Sequence, residues 1–102
     1  MIRHIVSWNY KSGLSEEQNR ENALKIKHDL EELMWKIDGV IECRVQIDVL
    51  PSSNRSIVLN SIFENEEALA AYQAHPEHEP INTFINSVLK DRACVDYDDS
   101  DL

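Results

Sequence analysis

The sequence predicts an α+β domain, in which a four-stranded antiparallel sheet carries its helices on one face in the order βαββααβ. Three observations lead there. Segments that alternate apolar and polar residues with period two are interleaved with segments whose apolar residues recur every three or four. Ser15 and Asn65, both good helix caps, each come after a strand-like run and before a helix-like one. In 102 residues there is no internal repeat, linker or low-complexity stretch, so one domain must hold all of it.

Residues 2–10 form the first strand. Ile2, His4, Val6, Trp8 and Tyr10 share one face, and Arg3, Ile5, Ser7 and Asn9 the other. Lys11-Ser12-Gly13 breaks it. Ser15 caps the first helix, Gln18 closes a capping box, and Glu16 and Glu17 place negative charge at the positive end of the helix dipole. The helix buries Ala23, Ile26, Leu30, Leu33, Met34 and Ile37, leaving His28 solvated and Trp35 off the stripe, and Gly39 ends it. Val40–Leu50 is the second strand. Ile41, Cys43, Val45, Ile47 and Val49 point one way, with Glu42, Arg44, Gln46 and Asp48 opposite. After the turn Pro51-Ser52-Ser53-Asn54, residues 56–64 form a third strand. Its apolar residues lie on both faces (Ile57, Leu59 and Phe63; Val58 and Ile62), which places it inside the sheet.

Asn65 caps a short helix with Ala68, Leu69, Ala71 and Tyr72 as inward candidates. Pro76 stops it, and Pro80 suits the first turn of the next. Ile81, Phe84, Ile85, Val88 and Leu89 form the apolar stripe of that third helix, and Arg92–Tyr97 is the last strand. The order is ferredoxin-like. Helices cover one sheet face only, yet the first and third strands are apolar on both. A second copy on a twofold axis is the simplest cover, so a homodimer with facing sheets is expected.

No apolar run approaches the ~20 residues of a membrane helix, and the N-terminus reads as a strand, not a signal peptide. The expected location is the cytoplasm. A net charge of −9 repels phosphate and anionic lipid, which excludes nucleic acid and membrane surfaces as partners. Cys43 and Cys94 have no metal-ligand spacing and lie in apolar runs, so both are expected as buried, inert thiols. The domain is expected over residues 1–98, followed by a frayed acidic tail at 99–102.

Met1-Ile2-Arg3-His4-Ile5-Val6-Ser7-Trp8 resembles the opening strand of the stress-responsive A/B barrel (Dabb) family. The run from Phe63 to His78, with Tyr72-Gln73-Ala74-His75-Pro76-Glu77-His78 at its end, is similar to that family's second signature, and Val95-Asp96-Tyr97 to its closing one. The pre-helix "PGV" of the family is Asp38-Gly39-Val40 here, without the proline. The resemblance implies a dimeric α/β barrel of two ferredoxin-like protomers. The family includes stress-induced plant proteins and plant polyketide cyclases. In the cyclases, the residues matching His4, Tyr72 and His78 line the active-site cavity.

That implication meets the chemistry of the residues. A histidine titrating near neutrality can take a proton from a carbon acid, and a tyrosine can donate to the enolate oxygen that develops. His78 is the candidate base, Tyr72 the donor and His4 the orienting group, with Trp8 and His75 as candidate ligand contacts. No cofactor or metal is expected: His75-x-x-His78 with Glu77 and Glu79 offers ligand types, but Pro76 breaks the helix that would align them. Against this stand a plain capping role for His75 and His78 and a core role for Tyr72 and His4. Three functional classes follow: a module binding a small organic molecule between sheet and helices, a cofactor-free cyclase, and a structural oligomer.

Overall fold

The computed structural model describes residues 1–99. The elements in chain order are β1 (Ile2–Tyr10), α1 (Glu16–Lys36), β2 (Val40–Gln46), β3 (Ile57–Phe63), α2 (Glu66–Gln73), α3 (Glu79–Val88) and β4 (Leu89–Asp98). The strands form one sheet in the order β2-β3-β1-β4, with every neighbouring pair antiparallel. This is the expected α+β, ferredoxin-like arrangement. β1 and β3 are interior, and β2 and β4 are edges.

The capping box forms as the sequence required. Ser15 Oγ accepts from the Gln18 N–H at 3.1 Å, and Gln18 Oε1 accepts from the Ser15 N–H at 3.0 Å. α1 then lays Ala23, Ile26, Leu30 and Leu33 onto the sheet, where they join Val6, Leu59, Phe63, Tyr72 and Ile85 in one core. Lys27 and Glu31 on α1 bond the backbone of the edge strand β2: Lys27 Nζ donates to the Val45 carbonyl at 2.7 Å, and the Val45 N–H donates to Glu31 Oε2 at 2.9 Å. Such bonds leave fewer open groups for a stray strand to pair with. Burial raises the Glu31 carboxyl pKa, but the hydrogen bonds from Lys27 and Val45 outweigh it and hold the group below its ordinary range.

Several local expectations are corrected. β2 ends at Gln46, not at Leu50. Its register shifts between Val40 and Glu42, so Ile41 is bulged out of the buried set and exposed. Ala71 is exposed, and only Leu69 and Tyr72 of α2 are buried. β4 begins at Leu89 rather than Arg92, because Leu89 caps α3 and enters the sheet at once. Cys43 is buried and donates to the Leu30 carbonyl, but Cys94 is exposed. The reason is its strand: past Leu89, the helix face of the edge strand β4 is left uncovered. Of the expected acidic tail, Asp99 accepts from Arg3 Nε at 2.5 Å and lies 3.3 Å from the Met1 ammonium. Residues 100–102 lie outside the described part. Among the described residues no helix is long and apolar enough to cross a membrane.

Candidate functional site

Asn65 starts α2 by accepting from the Ala68 N–H at 2.8 Å, and the helix delivers Tyr72 to the core in its last turn. The chain then reverses around His75. Its carbonyl accepts from the His78 N–H at 2.9 Å, and its Nδ1 accepts from the Glu77 N–H at 3.1 Å. His75 is thereby the organiser of the turn. His78 is the cap residue of α3, makes no side-chain capping bond, and turns its ring against Tyr72 with centroids 4.5 Å apart. On its other side Tyr72 meets His4 of β1 at 6.3 Å and Phe63 of β3 at 4.9 Å.

A cavity of about 40 Å³ lies at this junction. His4 and Trp8 line it from the sheet, Tyr72, Gln73, His78 and Asn82 from the helices, and Arg92 from β4. Four of the five candidate residues therefore share one cavity; His75 stands outside it. Asn82, Arg92 and Gln73 are additional lining groups. Asn82 follows His78 by one helical turn, a spacing that the sequence does contain, whereas Arg92 depends on the β1–β4 register.

Two polar atoms in this lining are buried with no hydrogen-bond partner among the described residues: Trp8 Nε1 and Tyr72 Oη. Their residues are 5% and 0% exposed. Buried polar groups are nearly always satisfied, so a pair of orphans at one cavity marks a place where something polar belongs. Burial pushes the Tyr72 phenol well above its ordinary range, with the Cys43 thiol adding to it, so the hydroxyl keeps its proton. Burial pushes His78 downward. Its hydrogen bond to the Gln73 carbonyl opposes this, and His4, Arg92 and His75 add to the lowering. His78 is the free base at neutral pH.

His4 is held at both ends. Its carbonyl accepts from Ser61 Oγ at 2.7 Å, and its Nδ1 bonds Asp96 Oδ1 at 2.5 Å. Asp96 is not among the candidates that the sequence offers, although it lies in the closing signature Val95-Asp96-Tyr97. The antiparallel register pairs His4 with Asp96 across 92 positions of sequence. Beside the cavity runs an open groove of about 420 Å³ between α2 and β4, lined by Ile2, Leu69, Ala70, Gln73, Asp96 and Tyr97 among others. Gln73 belongs to both linings.

A family model described as the stress responsive A/B barrel domain matches residues 2–99. The stress-response A/B barrel domain-containing protein HS1 of Arabidopsis thaliana is 26% identical over 102 residues, covering 94% of this chain and 87% of that protein. A dimeric protein of ferredoxin-like fold from Bacteroides fragilis superposes with a TM-score of 0.88 at 28% identity, over 95% of this chain and 94% of that one. The hydroxynitrile lyase of Passiflora edulis has the same fold, with a TM-score of 0.75 at 20% identity over 94% and 90% of the two chains.

Proposed function

This chain belongs to the stress responsive A/B barrel domain family, and on that premise we propose that it acts as a homodimer binding a small polar organic molecule between sheet and helices. The observation that carries this is the pair of orphaned atoms, Trp8 Nε1 and Tyr72 Oη, at one cavity. A volume of about 40 Å³ is close to the ~30 Å³ share of one water, so the cavity itself takes a polar head and no more. The neighbouring groove, at about 420 Å³, lies in the range of ligand pockets, roughly 300–1,000 Å³. A ligand with its body in the groove and an oxygen-bearing head reaching past Gln73 satisfies both orphans. Small phenols and β-keto acids have that shape and test the reading in a thermal-shift panel. Wild-type protein is expected to be stabilised by a member of the panel, and Tyr72→Phe is not. A panel that moves neither protein, or moves both equally, removes the cavity from the account.

A second reading is favoured by His78. A histidine kept as free base beside a phenol that keeps its proton is an acid–base pair set for enolate chemistry. His78 would take a proton from the carbon between two carbonyls. The resulting enolate carbon would attack a distal carbonyl of the same molecule, whose π bond opens to an alkoxide, while the Tyr72 hydroxyl stabilises the negative oxygen and the proton held by His78 then passes to that alkoxide. Turnover of a β-keto substrate that is unchanged in His78→Ala ends this reading and leaves the binding reading standing.

A further inference from the structure

Between β1 and β4, three potential metal ligands of different type converge. Among the described residues, His4, Cys94 and Asp96 are the one group of three or more histidine, cysteine and acidic side chains whose donor atoms all fall within 4.8 Å of one another. Cys94 Sγ lies 3.7 Å from His4 Nδ1 and 3.6 Å from Asp96 Oδ1. Ligands on tetrahedral zinc, with bonds of about 2.3 Å to sulfur and about 2.0–2.1 Å to nitrogen or oxygen, stand about 3.6 Å apart along each edge that includes the sulfur. Both edges to Cys94 are thus already at the separation of a bound site. The third edge, His4 Nδ1 to Asp96 Oδ1, is 2.5 Å and is closed by a hydrogen bond. It must widen by about 0.8 Å to match the same geometry, which a rotation of the exposed Asp96 side chain provides.

We propose that His4 Nδ1, Cys94 Sγ and Asp96 Oδ1 bind one divalent transition-metal ion of borderline softness, with zinc or cobalt as the class and a water in the fourth position. One nitrogen, one thiolate and one carboxylate form a donor set that selects against magnesium and calcium, which take oxygen ligands alone. His4 is buried and fixed from behind by the Ser61 bond to its carbonyl, so one ligand is preorganised. Cys94 and Asp96 alternate along the uncovered helix face of β4, which leaves solvent access for the ion and its water. That face is opposite the Ile5 and Val95 side of the sheet, so a dimer formed through the latter leaves the site open. On binding, the Cys94 thiol proton goes to solvent, and the proton of His4 Nδ1 is replaced by the metal and relocates to Nε2. The site shares His4 with the cavity proposed above and Asp96 with the neighbouring groove, while Cys94 lines neither, so Cys94 is the ligand that tests the metal site apart from that reading.

The test uses the full-length, tag-free protein, stripped with a chelator and titrated with Co²⁺ alone. The expected spectrum has a near-ultraviolet thiolate-to-cobalt charge-transfer band and visible bands of four-coordinate intensity, saturating at one ion per chain and abolished by Zn²⁺. Cys94→Ser is expected to lose the charge-transfer band, Asp96→Asn to shift the titration midpoint to higher cobalt, and Cys43→Ser to change neither. A wild-type spectrum without the band, a band that survives in Cys94→Ser, or an unmoved midpoint in Asp96→Asn overturns the three-ligand site. A readout without substitutions is alkylation followed by mass spectrometry. Zn²⁺ is expected to protect Cys94, and equal labelling with and without Zn²⁺ overturns the proposal. Cys43 stays silent there, because burial, with Glu31 nearby, pushes its thiol up to about 12. Loss of cobalt binding alongside an intact Tyr72-dependent thermal shift rejects the metal and keeps the cavity; the reverse result does the opposite.

Discussion

Tyr72 is wholly buried, yet nothing among the described residues pairs with its hydroxyl. An unsatisfied buried donor costs roughly 1–3 kcal/mol, and evolution tolerates such a cost where function needs it. Tyr72→Phe keeps the ring contacts to Phe63 and His78 and removes only the orphan. It is therefore expected to raise unfolding free energy by about 1 kcal/mol in urea denaturation, while the ligand-induced thermal shift is lost. A destabilised Tyr72→Phe would mean the hydroxyl is already satisfied in solution. His78 supplies a pH test. Its folded-state value lies below the ordinary ~6.5 because burial disfavours the charged ring. Between the folded and unfolded values the unfolded chain binds more protons, so stability rises with pH there. The contribution is complete above about 6.5 and is lost as pH falls through the folded value. Positive charge on His4, Arg92 and His75 acts in the same direction, and the hydrogen bond to Gln73 opposes it. His78→Asn is expected to flatten the fall in urea midpoint between neutrality and mild acid, and an unchanged slope would assign that fall to other groups.

Between α1 and β2 the chain turns at Gly39, with φ at +86° and no room for a side chain. A Cβ built there would lie 2.7 Å from the Cβ of Ala68 on α2. Gly39→Ala is thus penalised twice, by about 1–2 kcal/mol for the left-handed backbone and by about 1–3 kcal/mol for overpacking. Ala68→Gly removes the second cost alone. Gly39→Ala made in that background is expected to be milder than Gly39→Ala in the parent, a coupling measurable by a double-mutant cycle in urea. Additive losses would show that backbone strain is the whole effect. The same turn shows what the sequence makes legible. Helix ends are written locally, in Ser15, Gln18, Asn65 and Pro80, and these act as read, whereas α1 stops at Lys36 with Ile37 as its extended cap, and Gly39, expected to end it, instead makes the turn into β2. Ile41 leaves the buried face because a bulge breaks strict alternation, and nothing within the strand itself marks the break. Cys94 is exposed because β4 is an edge that no helix covers, a property of the whole sheet and not of Ala93-Cys94-Val95. The pairing of His4 with Asp96 is illegible for the same reason: their meeting requires the two ends of the chain to pair in one register. His4, Trp8, Tyr72 and His78 were legible as candidates because of their residue types and the family resemblance, and the fold supplies the cavity they share.

At the scale of the whole molecule, all helical cover lies on one side of the sheet. The other side presents Ile5 from β1, Val58 and Ile62 from β3, and Val95 and Tyr97 from β4, the last two 58% and 44% exposed. Apolar residues this close together on a sheet face mark an interface. A twofold axis covers the face with the same face of a second copy, so that every contact is made twice. Val58 is the informative position. It sits on an interior strand, is only partly buried in the single chain, and points away from the core formed by Ile57 and Leu59. An aspartate there stays hydrated in a monomer but is buried unpaired, in two copies, by a dimer. Wild-type protein is expected to sediment as a dimer at micromolar concentration, and Val58→Asp as a monomer with an unchanged far-ultraviolet circular dichroism spectrum. A monomeric wild type, or a variant that remains dimeric, would break the argument from the uncovered face. The monomeric variant also separates the sites by side of the sheet. The cavity at Tyr72 and the donors at Cys94 and Asp96 all lie on the helix side, so Val58→Asp should leave their ligand and cobalt titrations intact. Loss of either with dimerisation would show that the partner reaches around the sheet edge at β4.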